Sequence, residues 1–293
     1  IRSALEETKS KVKEGDFILA VNGMKINVQT GPYAPFTGLG GKTVQLTVNK
    51  SPSFEGAENV TVKLLNDEGR LRHLEWIENN RKYVDLASDG KIGYIYMQNT
   101  GSLGQSELVR QFYAQIDKDA FVIDERFNSG GQLAGRFIEL LTRKNILHIY
   151  QRTDKIYSYP SKANDGPKVM LINGWSGSGG DAFPWAFKEM KVGPIVGDNT
   201  YGILVGPVSP HSLIDGGMVS SPGGRLFGNN GEWFWEGVGV TPDHRVVNNP
   251  GTLYNEKDEQ MDKAIEILKE MLRQRRDEEI KRPEFEDRRK VKK

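Results

Sequence analysis

The sequence predicts an α/β core domain preceded by a small β-rich one. Two patterns support this. From Gly90 onward, short apolar runs alternate with amphipathic stretches, as in strands and the helices that cover them. Before Asn66 the apolar residues recur with period two, as in half-buried antiparallel strands. A charged, helix-prone segment separates the two regions. The boundaries read as 1–66 for the β-rich part, 67–86 for a linker helix, 87–272 for the core domain and 273–293 for a charged tail.

Gly15-Asp16-Phe17-Ile18-Leu19-Ala20-Val21-Asn22-Gly23 is a strand closing in an Asn-Gly turn. Residues 43–48 and 60–65 alternate as further strands. In the linker, Leu71, Leu74 and Ile77 share a helical face. Next come a strand at 92–97, a helix at 106–116, a strand at 120–124, a helix at 134–142, a buried strand at 169–172 and a helix start at 182–187. Met261, Ala264, Ile265, Leu268, Met271 and Leu272 mark one face of a late helix. The tail from Arg273 is mixed in sign and reads as a solvated helix end or frayed terminus.

At 293 residues the chain is too long for one small domain. Its net charge of +1 argues against a dedicated nucleic-acid surface. No apolar run approaches the roughly 18–20 residues of a membrane span, and no signal peptide is visible. The chain opens Ile1-Arg2-Ser3 and reads as a piece of a longer protein. Having no cysteine, it has no thiol nucleophile, Cys-based zinc site or disulfide.

Three elements point to chemistry. In Asn173-Gly174-Trp175-Ser176-Gly177-Ser178-Gly179-Gly180-Asp181, a strand turns sharply into a helix, and Ser178 sits where a nucleophile is often presented, beside free helix N–H groups. From that stretch alone, a plain Ser/Gly loop capping a helix is the ordinary reading. A second turn, Arg126-Phe127-Asn128-Ser129-Gly130-Gly131, also follows a buried strand. Its glycines either ease the turn or expose an N–H to a substrate oxygen. An acyl-transfer site needs two such donors, and Gly131 and Gly179 could supply them. Glu236 lies in Trp235-Glu236-Gly237-Val238-Gly239-Val240-Thr241-Pro242-Asp243, between aromatics and a β-branched run. There it is expected to be buried, as either a salt-bridged structural group or a polarising carboxylate.

These elements in this order resemble the S41 serine peptidases. The Arg126 to Gly131 turn, the Ser176-Gly177-Ser178 turn and the Val238 to Asp243 segment each match the family pattern, and the stretch from Gly15 to Gly23 resembles a PDZ domain. The resemblance implies a ClpP/crotonase-like spiral of ββα units behind a truncated PDZ-like domain. One branch of the family uses a Ser–Lys dyad, and Ile203 stands at the lysine position. An aliphatic chain cannot accept a proton, so the chain resembles the tricorn-type branch instead, through Trp76, Asn80-Arg81, Asp181-Ala182-Phe183-Pro184 and Glu236.

Carried over by position, Ser178 is the nucleophile, Gly131 and Gly179 donate to the oxyanion, and Glu236 supports the catalytic base. Gly179 stands where an acidic residue is common, which is expected to loosen the turn slightly. The base itself, a histidine, is expected in a subdomain ahead of this chain. His73 (taken as exposed in the linker), His148 (strand-like), His211 (a loop) and His244 (near a strand start) do not match its motif. The truncated PDZ-like part lacks the loop that would hold a peptide carboxylate and reads as unstable or as packing surface.

The implied activity is hydrolysis of short peptides through an acyl-enzyme, with neither metal nor organic cofactor, no nucleic acid and no membrane. The implied assembly is a homo-oligomer, a hexamer, in the cytoplasm, or in the periplasm if a signal has been lost, with an N-terminal β-propeller region in the longer protein. A non-catalytic peptide- or ligand-binding module, a crotonase-like acyl-CoA enzyme and a scaffold remain as alternatives.

Overall fold

The computed structural model describes residue 5 and residues 12–234, 236–254, 257–275 and 282–286. The first residues of the PDZ-like part, Trp235 and most of the charged tail therefore lie outside the described residues. The chain divides into two compact units, Ile1–Asn79 and Asn80–Lys293.

In the first unit, β1 (Phe17–Val21), β2 (Met24–Lys25), β3 (Thr43–Asn49) and β4 (Glu58–Lys63) form an antiparallel sheet in the order β2-β1-β3-β4. The Asn-Gly turn forms as expected. Asn22 and Gly23 both take positive φ, 49° and 80°, the pair of left-handed residues that a two-residue hairpin needs. The Asn22 side chain also accepts the Gln45 N–H at 2.9 Å. Val21, Val44, Leu46, Val48 and Val62 fill the small core. The last strand was expected at 60–65 but begins and ends two residues earlier, because the ladder stops where β3 begins, with Thr43 opposite Lys63.

Helix α1 (Gly69–Ala87) carries the chain across the unit boundary. His73, expected to be exposed, is half-buried and stacks on Trp76, with ring centroids 6.0 Å apart.

The second unit is built on a parallel sheet of β5 (Ile92–Tyr96), β6 (Ala120–Asp124), β9 (Lys168–Ile172), β10 (Ile195–Gly197) and β13 (His244–Arg245), in the order β13-β10-β9-β6-β5. Each successive strand is laid down beside the previous one, so the crossovers step along the sheet in one direction. β5, β6, β9 and β10 are buried along their whole length, as a parallel sheet covered on both faces requires. One face packs Ile95, Met97, Phe121, Ile123, Met170 and Ile172 against α2 (Ser102–Ala114), α3 (Ala134–Leu141) and α4 (Gly179–Glu189). Helix α6 (Glu259–Gln274), which follows the short α5 (Pro250–Tyr254), packs on β6, β9 and β10 through the expected stripe of Met261, Ala264, Ile265 and Leu268.

The helix expected at 106–116 starts four residues earlier, because the Asn99 carboxamide caps it by accepting the Gly101 and Gly104 N–H groups at 3.0 and 3.1 Å.

Two antiparallel ribbons leave this core: β7 (Leu147–Tyr150) with β8 (Ile156–Tyr159), and β11 (Pro207–Ser212) with β12 (Met218–Pro222). His211, expected in a loop, is an exposed residue of β11 paired with Val219. Among the described residues, no helix is long and apolar enough to cross a membrane.

Candidate active site

β6 and β9 are neighbours in the sheet, and a glycine-rich turn follows the C-terminal end of each. At the end of β9 the chain reverses through Ser178, which caps α4 with φ 58° and ψ −115°. A serine there holds a conformation that side chains avoid, at a typical cost of about 1–3 kcal/mol, and such strain is characteristic of a nucleophile turned outward between strand and helix. Ser178 is half-buried. Ser176, two residues before it, is fully buried, and its hydroxyl donates to the Glu125 carbonyl at 2.8 Å. The two serines of the turn thus have different work: Ser176 fastens the turn to the end of β6, and Ser178 is presented.

What fixes Ser178 is Asp181. This fully buried carboxylate accepts the Ser178 N–H (2.8 Å), the Thr200 hydroxyl (2.5 Å), and the Gly202 and Ile203 N–H groups (2.8 and 3.0 Å). It therefore ties the Ser178 turn to residues 200–203. The motif match included Asp181 but assigned it no role, although a cap residue followed three positions later by an acidic side chain is a legible capping signature.

The turn after β6 meets this one directly. Asn128 accepts the Gly177 N–H on its carbonyl (3.1 Å) and the Gly130 N–H on its side chain (2.9 Å). The Asn173 carboxamide accepts from Phe127 and Trp175, one residue of each turn, at 3.1 and 3.2 Å. Gly130 and Gly131 take φ of 92° and 140°, open to glycine alone, and a Cβ on Gly130 would lie 3.0 Å from the Ser178 Cβ. A Cβ on Gly179 would lie 2.6 Å from the Gly131 nitrogen. The structure thus brings Ser178, Gly179 and Gly131 together. Among the described residues, no acceptor takes the Gly131 or Gly179 N–H.

The expectation that glycine at 179 loosens the turn is overturned. A Cβ there would stand 2.0 Å from the Thr100 hydroxyl and 2.2 Å from the Gly131 carbonyl oxygen, so the position is enclosed and no acidic side chain fits. Gly179→Ala should wedge the two turns apart. If the Gly131 and Gly179 N–H groups act as the expected oxyanion pair, the loss is about 10²–10³-fold in the rate of covalent labelling of Ser178 by a fluorophosphonate in the longer protein.

Glu236 corrects a second expectation. It is exposed rather than buried, and it accepts only weakly from the Val205 N–H, at 3.3 and 3.4 Å. The segment containing the β11–β12 ribbon runs out over the surface and returns where Gly237 donates to Gly202 at 2.7 Å, which sets Glu236 beside residues 202–205 with its carboxylate toward solvent. Ile203 packs over the nucleophile turn: its Cγ1 would be 3.0 Å from a Cβ on Gly177. The position expected to hold a lysine in the other catalytic design is therefore in place, occupied by an aliphatic group. His148 contacts Ser158 in the β7–β8 ribbon at 3.1 Å, His211 lies in β11 and His244 in β13. All three are exposed, and none belongs to the segments that build the site.

The comparisons with known proteins agree with this geometry. The tricorn protease PDZ domain matches residues 1–67, and peptidase family S41 matches residues 91–246. The chain is 30% identical over 255 residues to a tricorn protease of Thermoplasma volcanium, covering 87% of this chain and 24% of that protein. It is 34% identical over 266 residues to tricorn protease homolog 1 of Streptomyces coelicolor, covering 91% and 25%. The crystal structure of the tricorn protease superposes with a TM-score of 0.79 at 28% identity, covering 88% of this chain and 25% of that one. The chain thus spans about a quarter of the length of these relatives. The order of a tricorn-type PDZ segment, a parallel α/β core and paired glycine turns around Ser178 is accounted for by descent: the chain belongs to peptidase family S41.

Proposed function

We propose that the chain is the nucleophile-bearing part of a tricorn-type serine peptidase that hydrolyses short peptides. The observation that carries this reading is the strained Ser178 beside two unspent backbone N–H groups, Gly131 and Gly179. In the reaction, the Ser178 hydroxyl adds to the scissile carbonyl carbon while its proton passes to a base. The Gly131 and Gly179 N–H groups hold the resulting oxyanion. Collapse of the intermediate breaks the C–N bond, the amine leaves with the proton, and water then hydrolyses the ester on Ser178.

A serine hydroxyl needs a base, and among the described residues the segments around Ser178 bring no histidine or lysine to it. In this reading an imidazole comes from a part of the longer protein outside this chain, and Glu236, exposed beside residues 202–205, orients it. An acceptor carboxylate open to solvent suits a partner that arrives from elsewhere. A homo-oligomer, hexameric as in the resemblance, and a cytoplasmic setting belong to the same reading.

A second reading, a non-catalytic peptide-binding module of this family, is favoured by Ile203 at the lysine position and by the absence of histidine from the site segments. Fluorophosphonate treatment followed by mass spectrometry of the modified peptide separates the two. The longer protein is expected to be labelled on Ser178 and this chain alone far more slowly. No labelling of the longer protein would favour the binding module, and equal labelling of both would show that the base lies within this chain.

A further inference from the structure

Beneath the two turns lies a carboxyl group that the chemistry above does not use. Glu125 follows β6 directly and is fully buried, with no hydrogen-bond partner for either carboxyl oxygen among the described residues. Its backbone is a hub. The N–H donates to Leu171 at 3.0 Å, and the carbonyl accepts from Ser176 Oγ at 2.8 Å and from the Asn128 N–H at 3.1 Å, so one residue supports both glycine turns.

The surroundings oppose a charge there. Asp124 precedes it on β6, and the Asp181 carboxylate of α4 and the Tyr96 hydroxyl of β5 lie near enough to act on it electrostatically. Arg126 is adjacent in sequence, but its guanidinium is engaged with Asp124 and Asp258. Burial pushes the Glu125 carboxyl well above the usual carboxylate range. The nearby Ser176 hydroxyl pulls the other way, and the Asp181 and Asp124 carboxylates add to the rise.

We propose that Glu125 is kept as an un-ionised carboxylic acid and acts as a positioning residue for the nucleophile turn. A neutral acid places no charge beside the Asp181 carboxylate where it gathers its four donors. Ionising Glu125 would set an unpartnered buried anion beside Asp181 and the Ser176 bond, and would displace the turn that aims Ser178. The neutrality of Glu125 rests on its burial and its acidic neighbours, whereas its effect on Ser178 rests on the peptidase reading, so the tests address the two separately.

On this chain, the infrared spectrum at neutral pH is expected to show the carbonyl stretch of a protonated carboxylic acid, absent from Glu125→Gln. The linkage has a definite sign. A carboxyl raised above its unfolded value of 4.5 gives stability that is complete below that value and is lost as pH rises toward the folded value. Wild type should therefore lose Tm relative to Glu125→Gln as pH is raised from about 5 to about 8. In the longer protein, the labelling rate of Ser178 should fall at alkaline pH in wild type and hold its plateau in Glu125→Gln.

An infrared spectrum without that band in wild type, which needs no variant to fold, would overturn the proposal. So would a pH-independent Tm difference, or an alkaline fall shared by both proteins. Failure of the longer protein to label at any pH would instead count against the peptidase reading and leave the infrared result to decide the state of Glu125.

Discussion

Under the proposed peptidase reading, replacing Ser178 with alanine is expected to slow peptide hydrolysis by the longer protein about 10⁶-fold while barely changing its Tm, since removing the nucleophile of an acyl-transfer site has effects of that order. The backbone at 178 already bears its strain, and alanine tolerates φ 58° no better than serine does, so the fold gains nothing from the change. Ser176→Ala is the informative control. Its hydroxyl is buried on the Glu125 carbonyl, which keeps the Asn128 N–H, so the loss should appear as about 0.5–1.5 kcal/mol of stability, with Ser178 still labelled. If Ser176→Ala abolished labelling and Ser178→Ala did not, the assignment of the two serines would be reversed. Steady-state hydrolysis and mass spectrometry on the two variants decide this.

Arg126→Met is expected to cost about 3–5 kcal/mol, lowering Tm by roughly 6–20 °C. The guanidinium is buried and forks onto Asp124, with Nε to Oδ1 at 2.9 Å and the terminal nitrogen to Oδ2 at 2.7 Å. It also reaches Asp258 at 2.7 Å and Gln260 at 3.2 Å, so it links β6 to the cap of α6. Burial alone would lower its pKa, but the Asp124 and Asp258 carboxylates more than reverse this and keep it charged. Tyr94 completes the set by donating to Asp124 at 2.8 Å. Methionine preserves volume but strands two carboxylates, one of them fully enclosed. Asp124→Asn in the same chain removes one stranded charge and should recover part of the loss. Equal Tm values for the single and double variants would show that the cost lies in packing rather than charge. Arg126 is thus a brace of the turn it begins, and its place in the family motif follows from that.

The sheet and both turns were legible in the sequence because local signals coincide there: full-length apolar runs, then paired glycines, then helix starts. Asn22-Gly23 was legible for the same reason, since both residues meet the backbone demand of the turn themselves. What escaped depended on distant neighbours. Glycine at 179 looked like relaxation of a turn, yet the Thr100 hydroxyl, supplied by the loop after β5, leaves room for nothing else. Glu236 was expected inside because of its apolar neighbours, but the segment around the β11–β12 ribbon folds outward, and no local pattern records that path. Glu125 carries no local mark of burial, and the Ser176 hydroxyl on its carbonyl shows the turn after β9 lying against it. Asp181 was readable from cap spacing, but its link to residues 200–203 was not.

The parallel pairing of β6 with β9 has a consequence for how a protein of this kind could be assembled. Adjacent strands run about 4.8 Å apart, and the two turns depart from their ends as extensions of one hydrogen-bonded framework. The cradle for negative charge is thus set by the interior of this unit, with no moving lid or arriving neighbour needed to shape it. Under the proposed peptidase reading, the group that shuttles the hydrogen ion is the part supplied from outside. That proposal separates electrostatic readiness, built into this unit, from the trigger, so the piece alone is expected to stay silent until its counterpart docks.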